Sequence, residues 1–142
     1  MDRLPQFGFL LAEISRRYIQ LFEQLAQGTG LTLTTCRALA YLERHEGISQ
    51  SRLAELAAIE PMALVRLLDR LQAEGLVRRE RDPDDRRAHR LLLEASAQPV
   101  LRQIRELSRR ARERTFAGVD AQERELFMRV LQRLADNLGG AR

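Results

Sequence analysis

At 142 residues, 44% hydrophobic and 31% charged, the chain is long enough to bury a core of its own and too apolar to be a disordered segment. No apolar run approaches the roughly 18 residues of a membrane span, and the opening Met1-Asp2-Arg3-Leu4-Pro5 lacks the order of a secretory signal. A lone cysteine, Cys36, excludes an intrachain disulfide framework, and the net charge of +4 rests on 24 basic residues, all of them Arg; a cytoplasmic protein with no membrane partner is expected.

From Pro5 to about Gln27, apolar residues fall at Phe7, Leu10, Leu11, Ile14, Tyr18, Leu21, Phe22 and Leu25, the three-and-four spacing of an amphipathic helix. Gly28-Thr29-Gly30 stops it. Thr32 is placed to cap a second helix, with Cys36, Leu39 and Leu42 on one face, that runs to about Glu46 and stops at Gly47. Ser49 caps a short third helix carrying Leu53, Leu56 and Ala57, and a tight break follows at Ala58-Ile59-Glu60. Pro61 suits the first position of a fourth helix, which reaches Glu74 and ends at Gly75. Its buried stripe is Leu64, Leu68 and Leu71. At 100° per residue, Met62, Ala63, Arg66, Asp69, Arg70 and Ala73 take the opposite face.

After Gly75 the pattern changes to a β-hairpin, with strands Leu76–Arg81 and His89–Leu93 around a charged turn from Asp82 to Ala88. Ser96 is read as the cap of a fifth helix that has Pro99 in its first turn and runs to about Ala117. Asp120 and Glu123 have capping-box spacing ahead of a sixth helix, whose apolar face is Phe127, Val130, Leu131, Leu134 and Leu138 and which ends at Gly139-Gly140. The order is α-α-α-α-β-β-α-α, a mainly α fold with one small hairpin.

A short helix, a tight turn, a second helix with an arginine face and then a hairpin make a winged helix-turn-helix. The major groove of DNA admits one helix, and a basic wing tip suits the backbone or the narrow minor groove. Between Arg66 and Arg90 lie Arg66, Arg70, Arg78, Arg79, Arg81, Arg86, Arg87 and Arg90, a clustering expected of a phosphate-facing surface. Charge alone is equally consistent with a solvated face balanced by Asp82, Asp84 and Asp85. Met62, Ala63, Arg66 and Arg70 would point into the groove, the two arginines toward guanine or phosphate. Ser49, Gln50, Ser51 and Arg52 would offer backbone N–H groups and short polar chains to phosphate. An enzyme is not indicated: His45 and His89 are the only histidines, neither has metal-ligand spacing with Cys36, and no Gly-rich phosphate loop or nucleophile elbow occurs. No metal or cofactor is implied.

Asp85-x-Arg87, five residues and then Leu93 match the wing pattern of the MarR (multiple antibiotic resistance regulator) family, and Leu68-Asp69-Arg70-Leu71 with Glu74-Gly75-Leu76-Val77-Arg78-Arg79 resembles the exit of that family's recognition helix. The resemblance, of a SlyA-like kind, covers essentially the whole chain. It departs at Glu94, where the family usually has Thr, and at Ala97, where it usually has Gly; both fall at the hairpin-to-helix junction. The resemblance implies one domain over 1–142, with a winged lobe at 32–95 and dimerisation helices at 5–27 and 97–138. It implies a sequence-specific transcriptional regulator, acting as a repressor, that binds a pseudo-palindromic double-stranded operator as a homodimer. Arg87 would enter the minor groove with Asp85 fixing its orientation, and Arg86 would pair with a carboxylate such as Asp69 or Asp84. A small aromatic or phenolic effector would release the protein from a pocket near Arg16, Tyr18, Cys36, Arg37 and Tyr41, Arg16 meeting a carboxylate. Cys36 is also open to reading as a redox switch, against which its apolar helical face argues. The competing class is a helical ligand-binding or protein-interaction module that does not touch DNA.

Overall fold

The expected periodicities are realised as six α-helices and one antiparallel hairpin in the computed structural model, which describes residues 1–139. A short 3-10 turn leads into α1 (Phe7–Leu25), followed by α2 (Leu33–Arg44), α3 (Gln50–Ala57), α4 (Pro61–Ala73), β1 (Val77–Asp82), β2 (Asp85–Leu93), α5 (Gln98–Thr115) and α6 (Ala121–Gly139). The helix ends follow side-chain chemistry. Thr32 Oγ1 accepts from the Thr35 N–H at 3.1 Å, and Ser49 Oγ from the Arg52 N–H at 3.2 Å. Asp120 and Glu123 exchange both capping-box bonds, at 2.9 and 3.2 Å. Gly75, at φ +75°, ends α4 in the left-handed region that a Cβ disfavours.

Leu39, Leu53, Leu64, Leu68, Leu71, Val77, Leu91, Leu101, Ile104 and Leu107 bring α2, α3, α4, α5 and the hairpin into one buried cluster, which Phe22 of α1 joins. Against this core, α3 and α4 are fixed relative to one another and to the base of the hairpin, and that positions the site. A strand-like pairing absent from the expected elements helps. Gly47 donates to the Leu91 carbonyl and Leu91 to that of Ile48, both at 2.9 Å, and Ser49 bridges Arg90, so the α2–α3 link runs along the free edge of β2.

Several expectations are corrected. Ser96 does not cap α5: its hydroxyl donates to the Gly75 carbonyl at 2.5 Å, tying the start of α5 to the end of α4, and the N-cap position is Ala97. The junction departures are accommodated there, because Ala97 is fully buried and Glu94 lies 3.5 Å from Arg78. The turn is shorter than expected, since β2 begins at Asp85. The register passes from Arg81↔His89 to Asp82↔Asp85, leaving Arg86, Arg87 and Ala88 bulged out of the ladder. Leu56 is only half-buried, α2 stops at Arg44, α4 at Ala73 and α5 at Thr115. Gly139 belongs to α6, and Gly140 lies outside the described residues.

The ends of the chain are different in kind. Phe7, Leu10, Leu11 and Ile14 of α1 are exposed, as are Phe127, Val130 and Leu138 of α6, which has no buried residue over its 19 positions. Within the described chain Phe127 of α6 makes an edge-to-face contact with Phe116, centroids 6.0 Å apart. No helix of the described residues is long and apolar enough to cross a membrane.

Candidate functional site

The turn between α3 and α4 depends on Ala58, whose φ of +53° is left-handed and whose N–H closes α3 on the Ala54 and Glu55 carbonyls. An alanine in this region costs about 1–2 kcal/mol relative to a residue without Cβ. Ala58→Gly is therefore expected to raise the urea midpoint, the unfolding free energy rising by up to about 1 kcal/mol after the extra chain entropy of glycine is subtracted. A lowered midpoint would show that the turn is not strained.

Glu60 then caps α4, its carboxylate accepting from the Met62 and Ala63 N–H groups at 3.0 and 2.9 Å. Those two bonds, with the nearby Arg66 charge adding to them, hold its pKa below the ordinary carboxylate value. A depressed folded-state pKa favours folding above the unfolded pKa, and that contribution is lost as pH falls through the folded value. Wild type should melt higher than Glu60→Gln at pH 7, and the gap should narrow toward pH 3. An unchanged gap in thermal scans would remove the charged cap from the account.

On α4, Met62, Arg66 and Arg70 are exposed, while Ala63 is half-buried against the core and presents less to solvent than the helical wheel suggested. The two arginines are not equivalent. Arg70 Nη2 donates to the buried Thr35 hydroxyl at 2.8 Å and Arg70 Nε lies 3.9 Å from Glu74, so Arg70 is drawn back against α2. Arg66 and Arg70 border a recess of about 250 Å³ with Thr32, Thr34 and Thr35 at the start of α2.

Ser49, Gln50 and Ser51 face the wing across a gap of about 400 Å³, lined on the other side by Asp85, Arg87, Ala88 and His89. Arg52 is turned along its own helix to Glu55, at 2.7 Å. Asp85 Oδ1 accepts from the Arg87 N–H at 2.9 Å, so it shapes the backbone beneath Arg87 rather than gripping the guanidinium. Arg86 is exposed at the tip and pairs with neither expected carboxylate among the described residues; Asp69 is taken instead by Arg79, at 2.8 Å.

A second recess, about 270 Å³ and open to solvent, lies where α1, α2 and α5 meet. Tyr18, Cys36, Arg37 and Tyr41 line it, with Phe22, Leu33, Ala40, Arg44, Ile104 and Ser108. Arg16 does not: it lies two residues before Tyr18, some 200° round α1, and is exposed. Burial pushes the Cys36 thiol up to about 11, an inert thiol at neutral pH and the opposite of what a redox switch requires.

The family model for the MarR family matches residues 29–88, the span that holds α2 to the wing. A MarR-family transcriptional regulator from Silicibacter pomeroyi is 33% identical, over 92% of this chain and 88% of that one, with a TM-score of 0.81. This chain belongs to the MarR family. A probable transcriptional regulator from Pseudomonas aeruginosa is 30% identical over 94% of this chain and 97% of its own, with a TM-score of 0.75. At 24% identity, over 92% of this chain and 99% of that one, BpsR of Bordetella bronchiseptica shares the fold, with a TM-score of 0.81; its DNA binding is described as regulated by 6-hydroxynicotinic acid.

For this MarR-family chain, sequence reasoning missed the second arginine of the α1–α2–α5 recess. Arg44 follows Arg37 by seven residues on α2, the same face two turns on, so the helical spacing carried the signal. Ile104 and Ser108 carried none, because they reach the recess only through the packing of α5 across α2.

Proposed function

We propose that this chain is a DNA-binding transcriptional repressor that works as a homodimer on a pseudo-palindromic double-stranded operator and lets go when a small aromatic or phenolic acid occupies the α1–α2–α5 recess. The observation that carries the DNA-binding reading is the meeting of the α3 start and the bulged wing tip across one gap, beside the exposed arginine face of α4. In this reading Arg66 hydrogen-bonds a guanine edge, Met62 and Ala63 make apolar contact in the groove, and Arg70 holds a phosphate from its place against α2. Ser49, Gln50, Ser51 and Arg52 meet the backbone at the start of α3, Arg86 does so from the wing, and Arg87 enters the minor groove over the turn that Asp85 shapes. A gel shift against the chain's own upstream region tests it. A salt-sensitive, sequence-selective complex is expected; with none, the protein is better read as a helical ligand-binding or protein-interaction module.

The recess combines Arg37 and Arg44 with two tyrosines and an apolar floor that includes Phe22 and Ile104. That chemistry suits a flat ring bearing a carboxylate, which guanidinium groups hold in bidentate fashion. Saturating 6-hydroxynicotinate or benzoate should weaken operator binding by about 5–150-fold, the usual span of an allosteric coupling. Arg37→Gln with Arg44→Gln should bind the operator normally and lose that response. Unchanged ligand response in the double variant would move the effector site elsewhere.

A further inference from the structure

Arg79 is the least expected arginine of the wing. It stands in β1 two residues beyond buried Val77, on the same sheet face, and its side chain is only 20% exposed. Its guanidinium turns away from the wing tip and onto α4. Nη1 is ion-paired with Asp69 Oδ1 at 2.8 Å and donates to Gln72 Oε1 at 3.1 Å, and Nη2 donates to the Val65 carbonyl at 3.3 Å. Val65, Asp69 and Gln72 are related as i, i+4 and i+7, so one planar group spans two turns of one helical face. Arg79 Nε is buried and unpartnered. A guanidinium withdrawn from water with a donor unsatisfied is a poor source of stability, but a fork held by one ion pair and two hydrogen bonds fixes both the angle and the rotation of α4 against the hairpin.

Little else fixes them toward the tip. The hairpin base is anchored by Val77 and Leu91 in the core and by the Ile48–Leu91 pairing. Beyond Arg81↔His89 the ladder breaks, and Arg86, Arg87 and Ala88 project unpaired. The only covalent link from α4 to β1 is short and turns at Gly75.

We propose that Arg79 is a positioning residue that locks the wing to the recognition helix, so that Arg87 at the tip and Arg66 on α4 engage one DNA site as a single rigid unit. This rests on the DNA-binding reading above. Without the lock, the two elements bind DNA separately, the wing must be ordered on each encounter, and the contact made by Arg87 contributes little.

The test is a set of double-variant cycles on the full-length protein, read as operator affinity and its salt dependence. In the wild-type background, Arg87→Ala should cost about tenfold or more for a lost charge-assisted contact and lower the log–log salt slope by about 0.9 per phosphate contact. In the Arg79→Ala background, adding Arg87→Ala should cost less than about twofold with no further change in slope, the non-additivity that defines coupling. Arg79→Lys keeps the charge but not the fork, and should behave as Arg79→Ala does. Should Arg79→Ala fail to fold, Asp69→Ala with Gln72→Ala removes two acceptors at exposed positions and should abolish the same coupling. A merely structural role would lower the folded fraction and leave the penalty for Arg87→Ala intact. Equal penalties in every background, with wild type binding its operator, would overturn the lock alone; a wild type that forms no selective complex would overturn the DNA-binding reading with it.

Discussion

Ile14→Glu combined with Val130→Glu is expected to turn the proposed homodimer into a monomer and to weaken operator binding by about 10²–10⁴-fold, the avidity lost when two linked half-site contacts become independent. Ile14 is 55% exposed on α1, which also exposes Phe7, Leu10 and Leu11, and Val130 is 47% exposed on α6, which also exposes Phe127 and Leu138. Burying one such side chain contributes about 1.5–3 kcal/mol, and a two-fold interface collects the contribution twice over. A 19-residue helix with no buried residue has little reason to hold its shape alone in water, so α6 itself should lose helix in the variant. Sedimentation and circular dichroism read both effects, and wild type should show a melting temperature that rises with protein concentration. A double variant that remains dimeric, with unchanged affinity, would place the interface on other surfaces.

Arg66→Ala should lower operator affinity by about 1–3 kcal/mol per half-site and relax preference at one base pair in each, as loss of a bidentate guanine contact does. Arg70→Ala should behave differently. Its guanidinium is bonded to the Thr35 hydroxyl at 2.8 Å, so its removal should loosen α4 on α2 and weaken all sequences alike. The two arginines are four residues apart on one helix, and only their partners distinguish them. Both variants should keep the dimeric state, because each side chain is exposed and off the leucine stripe. A selection experiment over randomised operators decides the matter: unchanged base preference in Arg66→Ala removes it as a reading residue.

Local chemistry made most of this architecture legible before any tertiary contact was known. Thr32, Ser49 and the Asp120–Glu123 pair cap helices because an oxygen two or three residues ahead of free N–H groups can do little else when an apolar period follows. The leucine stripe of α4, its stop at Gly75 and the alternation into a hairpin follow from the 3.6 and 2.0 periods in the same way. Ser96 does not cap because its hydroxyl has a second partner, the Gly75 carbonyl, 21 residues away in the chain and adjacent only in the folded protein.

Composition and spacing by themselves determined that this chain makes a winged helix-turn-helix with an arginine face, a basic wing tip and apolar terminal helices, because each of those properties is written within a few residues of itself. Only the tertiary structure decided which partner each arginine takes. Asp69 is claimed by Arg79 and not by Arg86, Arg70 is held by Thr35 while Arg66 lies exposed, and Arg44 joins Arg37 in the recess from which Arg16 is excluded. The physical reason is the same in each case. A long charged side chain reaches several partners at comparable cost, and the choice among them depends on how helices and strands distant in sequence are brought together, which no local period encodes.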